Sequence, residues 1–384
     1  MKSLIIGASL VAVAGTGIAT YSLSQPEAEE NEKEIIIENV EPTEEGDLAI
    51  LPAITVQNLQ VFLITGNADL AEREYLTLES AMKDEKVRVK ETGTVNQLTI
   101  DNNSDQYIFI HSGDIVKGGK QDRTIAHDVI LPPGAKNIAL ESYCVESGRW
   151  QARENEDVGN FNSSTKMLSS KDLRLAAKYD SNQSKVWDNV TKEQEKLNHN
   201  VSQMNGYDVD LKSNVSATSL QLTLESEELE KAKESMQGSL LSLLTEHENA
   251  IGYAYAINGE IYGIDIYNNR PLFEEVWPKL VESIVIEAIS NKSEEAFPPA
   301  AIKDVIAFMN AAEEEIAHED QKAINAHTDL NITEGDAGNV MFSTVDNEAE
   351  TWVHKNYLKR SPNEESEEEI NPLLDNNYMR QIRN

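Results

Sequence analysis

In an otherwise acidic chain, residues 112–124 set Lys117, Lys120 and Arg123 around the pair Gly118 and Gly119. Adjacent glycines can take positive φ, which lets successive backbone N–H groups converge on an anion. The two lysines would add point charges, and Arg123 a bidentate fork for phosphate or carboxylate. Gln121 could read a neighbouring amide or hydroxyl. The P-loop spacing, Gly-x-x-x-x-Gly-Lys-Ser/Thr, is absent. A second patch, residues 144–150, contributes Cys144, Glu146, Arg149 and Trp150. If the two patches meet, Arg149 and Trp150 complete a small cationic hollow. The alternative is a soluble Gly-Gly turn between strands, with a Glu146–Arg149 ion pair bracing the second loop.

The same region holds the candidate catalytic groups Asp114, Cys144 and Glu146. A nucleophilic Cys144 needs a lowered pKa, which a nearby arginine or lysine could give, and a base such as His111 or His127. A free cysteine is more often a small buried hydrophobe. His111, Asp114, His127 and Asp128 have ligand chemistry suited to zinc. No short His-x-x-x-His spacing accompanies them, so no metal site is expected and no cofactor is named. His354, beside Trp352, reads as an edge-strand residue. Trp187 and Trp277 sit on apolar helical stripes and read as core.

These residues must be positioned by a chain of 384 residues with 40% hydrophobic content, enough to bury a sizeable core. Its 67 Asp and Glu against 33 Lys and Arg argue against nucleic acid or anionic lipid as a partner. Cys144 is the single cysteine, which excludes an intrachain disulfide and a thiolate zinc cluster. Residues 1–24 read as an export signal, with Lys2 ahead of the uncharged run 4–23. An uncleaved N-terminal anchor is the competing interpretation, and the only membrane contact expected. Residues 25–50 form a glutamate-rich, extended linker, and 361–384 an acidic tail.

Between them, 51–360 reads as one α+β domain with an antiparallel, sandwich-like β-rich first half. Helices packed on further antiparallel strands follow. Thr77 caps a short helix, and Val87 and Val89 alternate as in a half-buried strand. Strands are expected at 95–101 and 107–111, paired as a hairpin, and as one piece at 125–131. Residues 159–165 read as a polar loop. Helices are expected over 171–204, 227–244, 270–290 and 301–316, with a kink or late start at Pro278. Asn258 and Gly259 mark a two-residue hairpin, and 340–345 and 351–358 close the fold as strands.

The residue order at 117–124 and 144–150 resembles the prokaryotic ARG and rhodanese-phosphatase-superfamily associated protein domain family. Further matching pieces lie at 75–78, 185–188, 256–259 and 272–277, so the likeness covers about 50–360. The resemblance implies an association with ADP-ribosylglycohydrolase-type and phosphatase-type proteins, and so with nucleotide or ADP-ribose metabolism. It supplies no catalytic residues to carry over.

The expectation is an exported module binding a small anionic ligand through Lys117, Gly118, Gly119, Lys120, Gln121, Arg123, Arg149 and Trp150. One alternative is a hydrolase of a phosphate- or ADP-ribose-containing substrate. The other is an envelope scaffold without a small-molecule site.

Overall fold

The computed structural model describes residues 48–360, apart from 71, 154, 155 and 315. The expected leader, nearly all of the linker and the acidic tail lie outside the described residues.

Asn258 and Gly259 stand at φ 52° and 79°, the double positive that a two-residue hairpin turn requires. They join Ala250–Ile257 to Glu260–Tyr267, as the sequence predicts. This hairpin lies inside a nine-stranded antiparallel sheet. Its order is Ala49–Ile50, Leu59–Thr65, Ala250–Ile257, Glu260–Tyr267, Thr351–Lys359, Asn339–Asp346, Thr328–Gly335 and Ile316–Asn325, with Ile54–Val56 also paired to Leu59–Thr65. One face packs on helix Ile302–Glu313, where Val305, Phe308 and Ala312 meet Phe62, Ile64, Ala254 and Ile264. The other face presents Tyr253, Tyr255 and Tyr267 to helix Arg270–Ser290, which contributes Phe273 and Trp277. Asn269 caps that helix by accepting the Leu272 N–H at 2.8 Å, and the helix runs through Pro278 without a late start.

The β-rich first half faces this inner side. A six-stranded sheet runs Phe161–Met167, Asp114–Gly118, Arg123–Ile125, Ile138–Cys144, Gln97–Asn102 and Val87–Thr94. A three-stranded sheet runs Val129–Leu131, Tyr107–Ile110 and Tyr75–Thr77, the last pair parallel. The architecture is the expected α+β arrangement, an antiparallel β-rich half followed by helices on further strands. Thr77 caps Leu78–Lys83 as predicted, accepting the Ser80 N–H at 3.2 Å.

Several local expectations are corrected. The strands near 95–101 and 107–111 do not form a hairpin but belong to different sheets. Asn102 redirects the chain by donating to the Gln106 and Pro132 carbonyls, at 2.8 and 2.9 Å. Residues 125–131 are not one strand. Ladder pairing stops after Ile125, because Asp128 turns inward to accept the Ser112 N–H at 2.7 Å. Phe161–Met167 is a strand rather than a loop; it lies at a sheet edge, so exposed Asn162 and Thr165 gave it a loop-like composition. The expected helix over 171–204 breaks into Lys171–Lys178 and Gln183–Asn205. His354 is no edge residue: its strand lies between two others, and the side chain is fully buried.

Candidate functional site

Strand register builds two neighbouring rungs on the inner face of the large sheet. Tyr267 opposes His354, which opposes Thr344. One step along, Tyr253 opposes Asp265, Asp265 opposes Asn356, and Asn356 opposes Phe342. Residues two apart on a strand share a face, so Asp265 and Tyr267 point the same way, as do His354 and Asn356. Opposite them, the first half supplies His111, Asp114 and Asp128, all buried.

The hydrogen bonds fix the orientation of both imidazoles. His354 Nδ1 lies 2.8 Å from Asp128 Oδ2, and its Nε2 lies 3.1 Å from Asp265 Oδ1. Asp128 also accepts from Thr344 Oγ1 at 2.6 Å, and Asp265 from Asn356 Nδ2 at 2.8 Å. His111 Nδ1 is 2.7 Å from the Ser112 carbonyl, which can only accept, so Nδ1 carries the proton and Nε2 the lone pair. That Nε2 accepts from the Tyr267 hydroxyl at 2.8 Å. The two imidazole rings stand 4.8 Å apart.

Burial pulls the two histidines the same way, but their neighbours separate them. At His354 burial disfavours the imidazolium, yet Asp128 and Asp265 override it and raise the pKa above the ordinary value. At His111 burial dominates, reinforced by the charge on His354, and the pKa falls. Burial would raise Asp265, but contact with His354 holds it well below the usual carboxylate range. One histidine is thus a cation clamped between two carboxylates, and the other a neutral base.

One ligand atom each from His111, Asp265 and His354 lies within 4.8 Å of the others. Two imidazoles and a carboxylate are the donor set of a divalent transition metal. Each imidazole has Nδ1 held by an acceptor, which leaves Nε2 as the ligating atom, and a bound cation would displace the Nε2 proton that His354 shares with Asp265. Asp265 Oδ2 is buried with no hydrogen-bond partner among the described residues. The residues therefore fit a cation.

His111 and Asp114 also line a pocket of about 250 Å³, together with Thr77, Ser80, Lys279 and Glu275. Lys279 Nζ reaches Asp114 Oδ1 at 3.0 Å and Glu79 at 3.2 Å. Burial works against the ammonium, but these carboxylates prevail and raise its pKa, so it stays charged.

The two sequence motifs do come together, around Trp150. Lys120 Nζ lies 5.0 Å and the Arg123 guanidinium 5.7 Å from the Trp150 ring centroid. Arg149 contacts the Gly119 carbonyl at 3.4 Å and pairs with Glu146 at 2.7 Å. Gly118 and Gly119 take φ of 115° and 55°, but the Gly118 N–H donates to Asp122 at 2.9 Å. Lys117 pairs with Glu225 at 2.6 Å. Arg123 is fully buried, its guanidinium against Cys144 Sγ and 3.6 Å from Glu91. Gln121 donates to the Glu146 carbonyl at 2.9 Å. Burial pushes the Cys144 thiol up to about 11 despite Arg123, so the resting sulfur is a thiol.

Of the four residues weighed for metal binding, His127 lies elsewhere, 2.9 Å from Lys322 and 3.4 Å from Glu141. Asp128 orients His354 instead of facing a cation directly. Sequence reading missed Asp265, Tyr267 and Lys279 altogether. The one signal available was an aspartate inside an apolar strand, between Ile264 and Ile266, where a charge must have a partner.

The fold and site define a mixed α+β protein with a buried histidine–aspartate centre between two sheet systems. The chain belongs to the ARG and Rhodanese-Phosphatase-superfamily-associated Protein domain family, whose model matches residues 47–358. No curated protein and no solved structure matches it.

Proposed function

We propose that the chain is a hydrolase of a phosphate-containing substrate, with a divalent cation such as zinc held by His111, Asp265 and His354. The convergence of these three donors within 4.8 Å, beside a pocket shared by His111 and Asp114, carries the reading. A bound cation would polarise the phosphoryl group and acidify a water. Water oxygen bonds to phosphorus, the P–O ester bond breaks, and its electron pair leaves on the ester oxygen. Asp114 takes the water's proton and relays it to that oxygen, while Lys279 offsets the negative charge. The family's association with phosphatase-type proteins supports this class. The Gly-Gly loop supports a binding role less well, because Lys117, Arg149 and the Gly118 amide already have carboxylate partners.

The test is equilibrium dialysis of the folded protein against zinc, followed by assay with a chromogenic phosphomonoester. We expect one ion per chain and metal-dependent phosphate release. Both should be lost in His111→Gln and Asp265→Asn variants whose circular dichroism is unchanged. A protein that takes up no divalent ion contradicts the reading.

Export is part of the proposal and rests on residues 1–24, read as a leader around the uncharged run 4–23, with an uncleaved N-terminal anchor as the alternative. No helix among the described residues is long and apolar enough to cross a membrane. Recovery of the protein from the cytosolic fraction, with Met1 intact, would overturn export.

A further inference from the structure

Helix Lys171–Lys178 lays two cations over the second rung of the inner face. Arg174 and Lys178 are four residues apart, hence on one side of the helix. Their exposures are only 7% and 3%, and Tyr253, at the end of the rung, is at 0%. Arg174 Nη2 is 3.1 Å from Glu287 and also bonds the Tyr255 hydroxyl, which anchors one side of its fork. Its Nε has no hydrogen-bond partner among the described residues, and neither do Lys178 Nζ or Tyr253 Oη.

Unsatisfied polar groups at this depth are rare, and each destabilises the fold unless something fills the gap. All three groups can donate, and Tyr253 stays a phenol because burial, then Asp265, raises its pKa far above the ordinary value. Lys178 interacts electrostatically with Asp128, Asp265 and Arg174, and Arg174 with Asp265 and Tyr253. Tyr253 opposes Asp265 across the two strands and both cations feel the Asp265 charge, so the three donors lie on the Asp265 side of the His111–Asp265–His354 cluster. The partner that would satisfy a guanidinium N–H, a lysine and a phenol together is an acceptor carrying negative charge.

We infer that Arg174, Lys178 and Tyr253 form an anion subsite beside the candidate metal centre, taking the phosphoryl oxygens of the substrate. This inference rests on the hydrolase reading above and narrows it. The substrate carries a phosphoryl group small enough to be enclosed, with its oxygens shared between a cation on one side and a guanidinium, an ammonium and a phenol on the other. A planar guanidinium and a flexible ammonium are the usual pairing for such oxygens.

The test uses inorganic orthophosphate as probe, with the full chain, measuring thermal stabilisation and binding by calorimetry. The principal variant is Lys178→Met, which keeps the stem and removes an amine that lies 4.6 Å from the Phe342 ring centroid and has no hydrogen-bond partner among the described residues. We expect its unliganded melting temperature to match or exceed that of the wild type. Phosphate affinity should fall about tenfold or more, the scale of one charged hydrogen bond. Tyr253→Phe should weaken phosphate binding less, again without unfolding. Equal phosphate affinity in wild type and both variants would overturn the subsite. So would a steep fall in the unliganded melting temperature of Lys178→Met, which would make Lys178 a structural brace.

Zinc dialysis of the same variants separates the two proposals. Metal uptake with phosphate binding indifferent to Lys178 removes the subsite and leaves the hydrolase. Lys178-dependent phosphate binding without metal uptake keeps the subsite and removes the metal-dependent hydrolase.

Discussion

His354 Nδ1 and Asp128 Oδ2 stand 2.8 Å apart although 226 residues separate them along the chain. The contact joins the β-rich first half to the interior of the nine-stranded sheet. Both side chains are at most 1% exposed, so it is screened little by water or salt. Breaking a buried pair by deleting one partner strands the other charge, typically at 3–5 kcal/mol.

Asp128→Asn is therefore expected to destabilise by that amount below the ordinary histidine pKa of about 6.5, where the imidazolium is fully formed. The sign follows from linkage. A histidine whose folded pKa is raised contributes stability that is complete below its unfolded pKa and lost as pH rises through the folded one. The difference between wild type and variant should shrink as pH is taken from 5.5 to 9. Urea unfolding at the two pH values measures it. A difference that is the same at both ends would mean that Asp128 does not stabilise the His354 proton.

Glu193, on helix Gln183–Asn205, is fully buried near Glu287 and accepts from Ser290 at 2.9 Å. Burial first, then the neighbouring charge of Glu287, pushes its pKa up from 4.5 to about 7. The folded protein holds this proton more tightly than the unfolded chain does, so its contribution is intact below pH 4.5 and lost as pH rises to about 7. Glu193→Gln keeps the shape and an acceptor for Ser290 while removing the titration. We expect the variant to be more stable than wild type at pH 8, by up to about 3 kcal/mol, and near parity at pH 4.5. Chemical denaturation across that range decides it, and a variant less stable at pH 8 would contradict the assignment.

What could be read in advance follows from which signals are local. The hairpin at Asn258 and Gly259 was legible because two positive φ values demand particular residues at adjacent positions. Helix Arg270–Ser290 was legible because its apolar stripe repeats over five turns and more. Strand Ile316–Asn325 was not, because a sheet edge carries exposed residues such as Glu319 and Asp320, which resemble a loop. The candidate centre failed for another reason. His111, Asp128, Asp265 and His354 come from four separate segments, and only strand register sets Asp265 beside Asn356 and Tyr267 beside His354. By contrast, residues 112–124 drew attention through local density of charge, and the fold buries Arg123 while leaving Lys120 only partly covered.

Those two cations are chemically alike in sequence and different in setting, which makes them a sharp comparison. Arg123 is 0% exposed, wedged between Glu91, Cys144 and Trp150. Its removal leaves the Glu91 carboxylate, which is itself buried, without a counter-charge. Arg123→Met should therefore lower stability by about 3 kcal/mol or more. Lys120 lies over the Trp150 ring at 5.0 Å, an exposed type of cation–π contact, so Lys120→Met should cost about 1 kcal/mol at most. Melting temperatures of the two variants without added ligand give the comparison. If both fall equally little, Arg123 is dispensable to the core and its guanidinium is available for another purpose, such as the anion contact its sequence setting first indicated. If only Arg123→Met melts early, the arginine joins two strands and the second loop, and of the two cations Lys120 alone remains placed to meet a ligand at Trp150.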